Sequence, residues 1–99
     1  MQGVASPSAE APAHYALALY VVGATGSSSR AIVNVRALCE RHLQGRYELR
    51  VVDLLLDPAA AAAAQVVAAP TLVKELPPPV RRFIGDMSDG QRILDNLDA

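Results

Sequence analysis

The chain has 99 residues, 52% of them hydrophobic, and its 10 acidic and 9 basic residues give a formal charge of -1. This length allows one domain with a single small core. The near-neutral charge gives no support to general polyanion binding, so nucleic acid is not an expected partner. No apolar run approaches the roughly 20 residues that a helix needs to cross a bilayer, so no membrane association is expected.

The start of the chain differs in composition from the rest. Residues 1–14 are rich in Ala, Ser and Pro and lack the basic and apolar segments of a signal peptide. We therefore expect a disordered tail over 1–14 and a folded domain over 15–99. The single cysteine, Cys39, excludes an internal disulfide bond and a cysteine-based zinc site, and a cytoplasmic location is the default expectation.

The first half of the domain has the pattern of a strand, a helix and a second strand. Residues 15–22 are continuously apolar, which predicts a central strand covered on both faces. Serines at 27–29 compete for the N-cap of a helix whose apolar side chains recur at helical spacing until Gly45. Residues 47–53 alternate in polarity and predict a half-buried strand. These elements form a βαβ unit, whose crossover should be right-handed.

An alanine-rich segment opens the second half. Asp57 before Pro58 places an N-capping acid ahead of a proline at the first helical position. Alanine is the best helix former, so the alanine run at 59–64 predicts a helix over 58–67. Alanine side chains bury little area, and we therefore expect this helix to be held weakly.

Two strands and a helix complete the predicted domain. Strands are predicted over 71–75 and 80–84, separated by three prolines that form a stiff, extended connection. Ser88 and Gln91 have the spacing of a capping box, which predicts a last helix over 88–97. The predicted architecture is a single α/β domain with the order βαβαββα.

A proline stands at the entry of the third strand. Pro70 lacks a backbone donor, and the first residue of a strand is a position where a sheet tolerates this loss. The Ala-Pro-Thr segment that contains it, placed after a βαβ unit and before a hairpin, resembles the turn that carries a cis proline in thioredoxin-like folds. We therefore predict a thioredoxin-like domain with structural turns at Pro70 and at Gly85 and Asp86.

The predicted fold raises the alternative of a thioredoxin-fold redox or glutathione-dependent enzyme. Such enzymes carry Cys-x-x-Cys between the first strand and the first helix, where the helix N-terminus lowers a thiol pKa. Residues 24–27 occupy this place and contain no thiol, while Cys39 lies on the apolar face of the helix. The histidines and turn aspartates have positions typical of solvated and capping side chains, so no catalytic residue, metal site or cofactor is predicted.

Basic residues flank the proline segment. Lys74, Arg81 and Arg82 cluster around the stiff run at 76–80, which suits a surface for docking another protein. Arginine pairs favour acidic partners because each guanidinium can form two parallel hydrogen bonds with a carboxylate. Ordinary solvated charge explains the same pattern equally well, and the residues alone leave both interpretations open.

Several segments, taken in order, resemble the KaiB family of circadian-clock proteins. The resemblance extends from about residue 15 to 97 and is most specific over 69–88, which contains Ala-Pro-Thr-Leu-Val-Lys, Leu-Pro-Pro-Pro-Val-Arg-Arg and Ile-Gly-Asp-Met-Ser. It implies a non-enzymatic regulator, without a cofactor, that binds the N-terminal ATPase ring of the KaiC ATPase/kinase. KaiA and a clock histidine kinase are further implied partners. The KaiC-facing positions implied by the resemblance are Arg30, Glu48, Arg50, Lys74, Arg81 and Arg82.

The resemblance also implies two folds. One is the thioredoxin-like monomer, which binds KaiC, and the other is a βαββααβ ground state that forms a homo-oligomer, usually a tetramer. The alanine run at 59–64 replaces a mixed polar helix of the family and should favour the thioredoxin-like state. A third functional hypothesis is a detached sensor domain, because clock histidine kinases carry a KaiB-like domain.

Overall fold

The computed structural model describes residues 14–23, 25–64 and 70–97. Its element order is βαβαββα, which confirms the predicted order of strands and helices. None of the helices described is both long and apolar enough to cross a membrane. The elements are β1 (Tyr15–Val21), α1 (Gly26–His42), β2 (Tyr47–Asp53), α2 (Ala59–Ala64), β3 (Thr71–Leu76), β4 (Arg81–Ile84) and α3 (Gly90–Asn96).

Three predictions fall wholly or partly outside these ranges. The predicted tail is described only at His14, the predicted end of the alanine helix at 65–67 is not described, and neither is Ala69. The isomer of the peptide bond before Pro70 therefore stays a prediction.

The four strands form one sheet in the order β2-β1-β3-β4. β1 and β2 run parallel, with Tyr15 opposite Tyr47 and Val21 opposite Asp53. β3 runs antiparallel to β1, and β4 runs antiparallel to β3. β1 is therefore a central strand, as predicted, while β2 and β4 form the two edges.

α1 and α3 cover one face of the sheet and enclose the larger core. Side chains alternate across a strand, so Leu17 and Leu19 of β1 point into this core while Ala18 and Tyr20 point to the opposite face. Both sets are buried, which explains why β1 is apolar throughout. The other buried members of the larger core are Tyr15, Val21, Ala31, Val35, Leu38, Cys39, Leu43, Leu72, Phe83, Met87, Ile93 and Leu97.

α2 covers the opposite face only in part. Ala60 and Ala64 pack against a small cluster formed by Ala18, Tyr20 and Val73. The helix has no buried residue, because alanine methyl groups reach little of the sheet. Within the described residues, this second face is therefore covered only where α2 crosses it.

The N-cap of α1 lies earlier than predicted. Thr25 caps the helix, and its Oγ1 accepts a hydrogen bond from the backbone N–H of Ser28 at 3.3 Å. Ser28 is itself buried, and its hydroxyl accepts the backbone N–H of Val22 at 3.2 Å. The prediction that one of the serines at 27–29 caps the helix is wrong, because the chain already turns into the helix at Gly26.

The predicted capping box of α3 is also wrong. Asp89 is the N-cap, and its carboxylate accepts the backbone N–H of Arg92 at 3.1 Å. Ser88 belongs instead to the preceding turn, where its backbone N–H donates to the Asp86 carboxylate at 3.0 Å. α3 consequently begins at Gly90, two residues later than the sequence pattern predicted.

The proline segment reverses the chain between the last two strands. Lys74 of β3 lies opposite Arg81 of β4, so the intervening residues form a bend. The hairpin predicted after Pro70 is therefore confirmed, whereas the three prolines form a bend and not the extended connection expected of them. The peptide bonds Leu76–Pro77 and Pro78–Pro79 are cis.

Replacing Asp89 tests the cap of α3. We expect Asp89→Ala to lower the free energy of unfolding by about 1 kcal/mol, because the Arg92 N–H loses its acceptor. Asp89→Asn retains a side-chain oxygen and should stay within about 0.5 kcal/mol of the parent. Urea unfolding followed by circular dichroism measures both; equal losses in the two variants would contradict the assigned cap.

Candidate protein-binding surface

Pro70 and Gly85 join the open ends of the last two strands. The Gly85 backbone N–H donates to the Pro70 carbonyl at 3.0 Å. Gly85 has a φ of 118°, a region that favours glycine because a Cβ would clash with the backbone. This bond holds the exit of β4 against the entry of β3.

Asp86 links the turn that follows β4 to α1 through hydrogen bonds. Its carboxylate accepts hydrogen bonds from the backbone of Ser88 and, at 3.4 Å, from Nε of Arg30. Its backbone carbonyl accepts Nδ2 of Asn34 at 2.9 Å. Hydrogen bonds from Ser88, and then the interaction with Arg30, lower the pKa of Asp86 from its ordinary value. Arg30, predicted to face a partner, therefore also stabilises the turn that follows β4.

Lys74 is not a surface residue in this fold. It is 0% exposed, and its Nζ donates to the carbonyl of Leu97 at the end of α3. Lys74 follows Leu72 by two positions, so both side chains lie on the face covered by α1 and α3. The prediction that Lys74 lies on the surface is therefore wrong. The alternation of side chains within β3 could have revealed that Lys74 is buried.

Three of the predicted residues lie on the face that α2 covers in part. Arg50 is opposite Ala18 and Arg82 is opposite Val73, and residues directly opposite in a ladder share a face. Glu48 precedes Arg50 by two positions and shares the same face. We call the surface formed by Glu48, Arg50, Glu75 and Arg82 the α2 face.

Hydrogen bonds order the charged groups of the α2 face. Nη2 of Arg50 donates to the Glu75 carboxylate at 3.2 Å and to the Tyr20 hydroxyl at 3.5 Å. Glu48 contacts Nε2 of His14 at 3.3 Å. Among the described residues, Nη2 of Arg82 donates only to a backbone carbonyl, that of Ala64, at 3.3 Å.

A hollow separates α2 from the Arg50–Glu75 pair. It has a volume of about 480 Å³, and Tyr20 and four alanines of α2 contribute to its lining. Neither Tyr20 nor Glu75 was predicted as part of the site, because Tyr20 belongs to an apolar run and Glu75 shows its role only through its pairing with Arg50 across the sheet.

Arg81 points to the other side of the sheet. It lies opposite Lys74 and is half-buried, and its Nε is buried without a hydrogen-bond partner among the described residues. Arg81 and Arg82 are neighbours in β4, so the edge strand presents one arginine on each face of the sheet.

Hydrogen bonds hold the backbone directly before the redox position of the thioredoxin-like fold. Oδ1 of Asp53 accepts the backbone N–H groups of Gly23 and Leu55 at 3.0 and 2.9 Å. Cys39 is fully buried elsewhere, and burial, followed by the charge of Glu40, raises its pKa to about 11. The thiol is therefore neutral at pH 7 and unsuited to nucleophilic attack. Within the described ranges, no three His, Cys, Asp or Glu side chains could hold a metal ion.

Comparison with solved structures defines the class of protein as a thioredoxin-like domain. The N-terminal domain of SasA from Synechococcus elongatus superposes with a TM-score of 0.65 at 20% identity, covering 87% of this chain and 77% of that domain. Thioredoxin from Fasciola hepatica gives a TM-score of 0.68 at 21% identity, with coverages of 85% and 78%. At these identities the likeness shows the fold alone.

Sequence comparison shows the family. Residues 18–99 match the model of the KaiB domain. The circadian clock oscillator protein KaiB of Prochlorococcus marinus is 50% identical over 84 residues, which cover 85% of this chain and 71% of the relative. The KaiB of Nostoc sp. is 48% identical, with coverages of 85% and 78%. The chain therefore belongs to the KaiB family of clock proteins, as the sequence resemblance predicted.

Charge reversal distinguishes the buried lysine from the exposed arginine. We expect Lys74→Glu to lower the free energy of unfolding by about 3 kcal/mol or more, because it buries a carboxylate against the Leu97 carbonyl. Arg82→Glu should change it by less than about 1 kcal/mol, because Arg82 is exposed. Urea unfolding measures both; similar values for the two variants would contradict the assigned burial of Lys74.

The lowered pKa of Asp86 gives a pH test. A carboxyl whose folded-state pKa lies below its ordinary value of 3.8 stabilises the folded state above that value, and the contribution is lost as the pH falls through the folded pKa. Below about pH 4, the unfolding free energy of the parent should fall more steeply than that of Asp86→Asn. Urea unfolding at a series of pH values measures this difference, and parallel profiles would refute it.

Proposed function

We propose that this protein is a KaiB-like clock regulator that binds the N-terminal ATPase ring of a KaiC-type ATPase and modulates its activity, without catalysing a reaction itself. One observation carries the proposal: a chain of the KaiB family adopts the thioredoxin-like arrangement, the state that the family resemblance associates with KaiC binding. The absence of cysteine from positions 24–27 supports a non-enzymatic role.

The α2 face and the adjoining β4 strand are the proposed binding surface. Glu48, Arg50 and Arg82 lie on this face, and Arg81 lies at its border on the other side of β4. Arg30 lies beside the exit of β4 through its contact with Asp86. Lys74 would contribute indirectly, by holding α3 against the sheet.

The charges on this surface are available to a partner. The Arg50–Glu75 pair is more than one-third exposed on both sides, and exposed pairs of this kind contribute little to stability. Arg82 has no carboxylate partner among the described residues. Carboxylates of a partner could therefore bind these guanidinium groups at little cost to the fold, which favours fast and specific association.

The proposal has further features, which rest on the composition of the sequence and on the family resemblance. They are a folded domain over 15–99 preceded by a tail over 1–14, a cytoplasmic location, and KaiA or a clock histidine kinase as additional partners. A homo-oligomer, a dimer or a tetramer, belongs to the alternative βαββααβ fold. In that arrangement the β3–β4 hairpin described here would not form.

Retention on immobilised cognate KaiC in the presence of ATP tests the proposal. We expect the parent protein to be retained and to change the ATPase rate, whereas Arg81→Glu/Arg82→Glu should bind at least about tenfold more weakly. The matched control is Arg36→Glu/Arg41→Glu, which reverses two exposed charges on α1. Circular dichroism verifies that both variants fold.

Two outcomes would contradict the proposal. One is failure of the parent to be retained at protein concentrations of the order of tens of micromolar. The other is equal retention of the β4 variant and the parent.

A further inference from the structure

β4 forms one edge of the sheet that the structure describes, and no described strand pairs with its outer side. Only β3 pairs with it among the residues that the structure describes. Val80, which directly precedes the strand, and Ile84, at its end, are 50% and 58% exposed. An edge of this kind offers a row of backbone donors and acceptors to an added strand. We call this outer side, over Val80 to Ile84, the β4 edge.

The two arginines of the β4 edge lack acidic partners. Arg82 reaches only the carbonyl of Ala64, and no carboxylate within the described ranges pairs with Arg81 or Arg82. Nε of Arg81 is buried and makes no hydrogen bond with the described residues, an arrangement that costs free energy. Both guanidinium groups therefore favour a partner that brings carboxylates to this edge.

We propose that the β4 edge binds an extended acidic segment of a partner protein as a fifth strand of the sheet. Main-chain hydrogen bonds would provide affinity, and the side chains of β4 would select the sequence. This inference deepens the proposed function, since Arg81 and Arg82 belong to both, but it specifies how the partner is recognised.

The alternation of side chains along β4 sets the recognised pattern. Arg81 and Arg82 point to opposite faces, and Ile84 shares the face of Arg82. Two consecutive acidic residues in the added strand would match the two arginines, and an apolar residue two positions from the acid at Arg82 would meet Ile84. The pattern is apolar-x-acid-acid for an antiparallel strand and acid-acid-x-apolar for a parallel one.

A second copy of this chain fits the β4 edge less well. A sheet continued through two β4 strands would bring four arginines to one junction. Like charges opposite each other destabilise a strand pair. Charge complementarity therefore favours an acidic partner segment over self-association.

Fluorescence anisotropy with two capped synthetic peptides tests the inference on the full chain. Their sequences are Thr-Val-Thr-Glu-Glu-Thr, for antiparallel pairing, and Thr-Glu-Glu-Thr-Val-Thr, for parallel pairing. We expect one of them to bind and to lose about tenfold or more in affinity when both Glu residues become Gln. Every second backbone amide of the peptide can be N-methylated in two alternative sets. Methylation of the set of N–H groups that faces β4 should abolish binding, whereas methylation of the other set should not.

Variants of the protein locate the binding site. Arg82→Gln should weaken peptide binding by about tenfold, whereas Arg36→Gln, an exposed change on α1, should leave it unchanged. Arg82 is exposed, so its replacement tests the site even if a change at the half-buried Arg81 impairs folding. Equal binding in both N-methylation frames, no binding of either peptide, or an equal effect of the two protein variants would overturn the inference. A β4-paired dimer that neither peptide dissociates, measured by sedimentation, would also overturn it.

The peptide test is independent of KaiC. If the Arg81→Glu/Arg82→Glu variant loses KaiC retention while neither peptide binds, the proposed function stands and strand addition fails. If a peptide binds as expected while the parent is not retained on KaiC, strand addition stands and the proposed function fails.

Discussion

The unequal covering of the two sheet faces determines most of this structure. On one side α1 and α3 bury large aliphatic and aromatic side chains against β1, whereas on the other a six-residue alanine helix reaches only a small cluster around Tyr20. Burial of apolar area is the main stabilising contribution, so the first face anchors the fold. The second face is left free to carry charge.

The difference between the two faces of the sheet explains where the proposed interface lies. Arg50 and Arg82 lie on the weakly covered face, where both side chains are exposed to solvent. Their guanidinium groups stay hydrated there, so their charges cost the fold little free energy. Lys74 occupies the strongly covered face, where its Nζ donates a hydrogen bond to the Leu97 carbonyl. Basic residues that are close in sequence therefore have different physical roles, since strand alternation sends their side chains in opposite directions.

The fold was predictable wherever a pattern repeats. The apolar run of β1, the helical spacing in α1 and the alternation in β2 are long enough to determine their elements, and family resemblance supported their order. The start of α3 was not predicted, because Ser88 and Asp89 are both suitable caps and the choice depends on a distant contact. The bonds of Asp86 to Ser88, Arg30 and Asn34 commit Ser88 to the turn and leave Asp89 to cap α3.

The sequence predicted which residues belong to the site but not how their side chains are arranged. The sequence indicated arginines near a proline bend, but it could not show that Arg50 pairs with Glu75 across β1, because this contact joins residues 25 apart in the chain. Nor could it show which side of β4 lacks a neighbour. Both facts depend on the strand order, in which β4 pairs with β3 and ends the sheet.

The turn before α1 and the β4 strand differ in whether their hydrogen-bonding groups have partners within the protein. At the turn before α1, where redox members of this fold class react, the hydrogen-bonding groups of Asp53, Thr25 and Ser28 are already engaged within the protein. Among the described residues, the β4 strand has the opposite character, with an unpaired outer edge and a buried donor on Arg81 that has no acceptor. Binding gains free energy where desolvated groups acquire partners that the free protein lacks. Recognition at β4, rather than chemistry at the α1 turn, is therefore what this arrangement of residues favours.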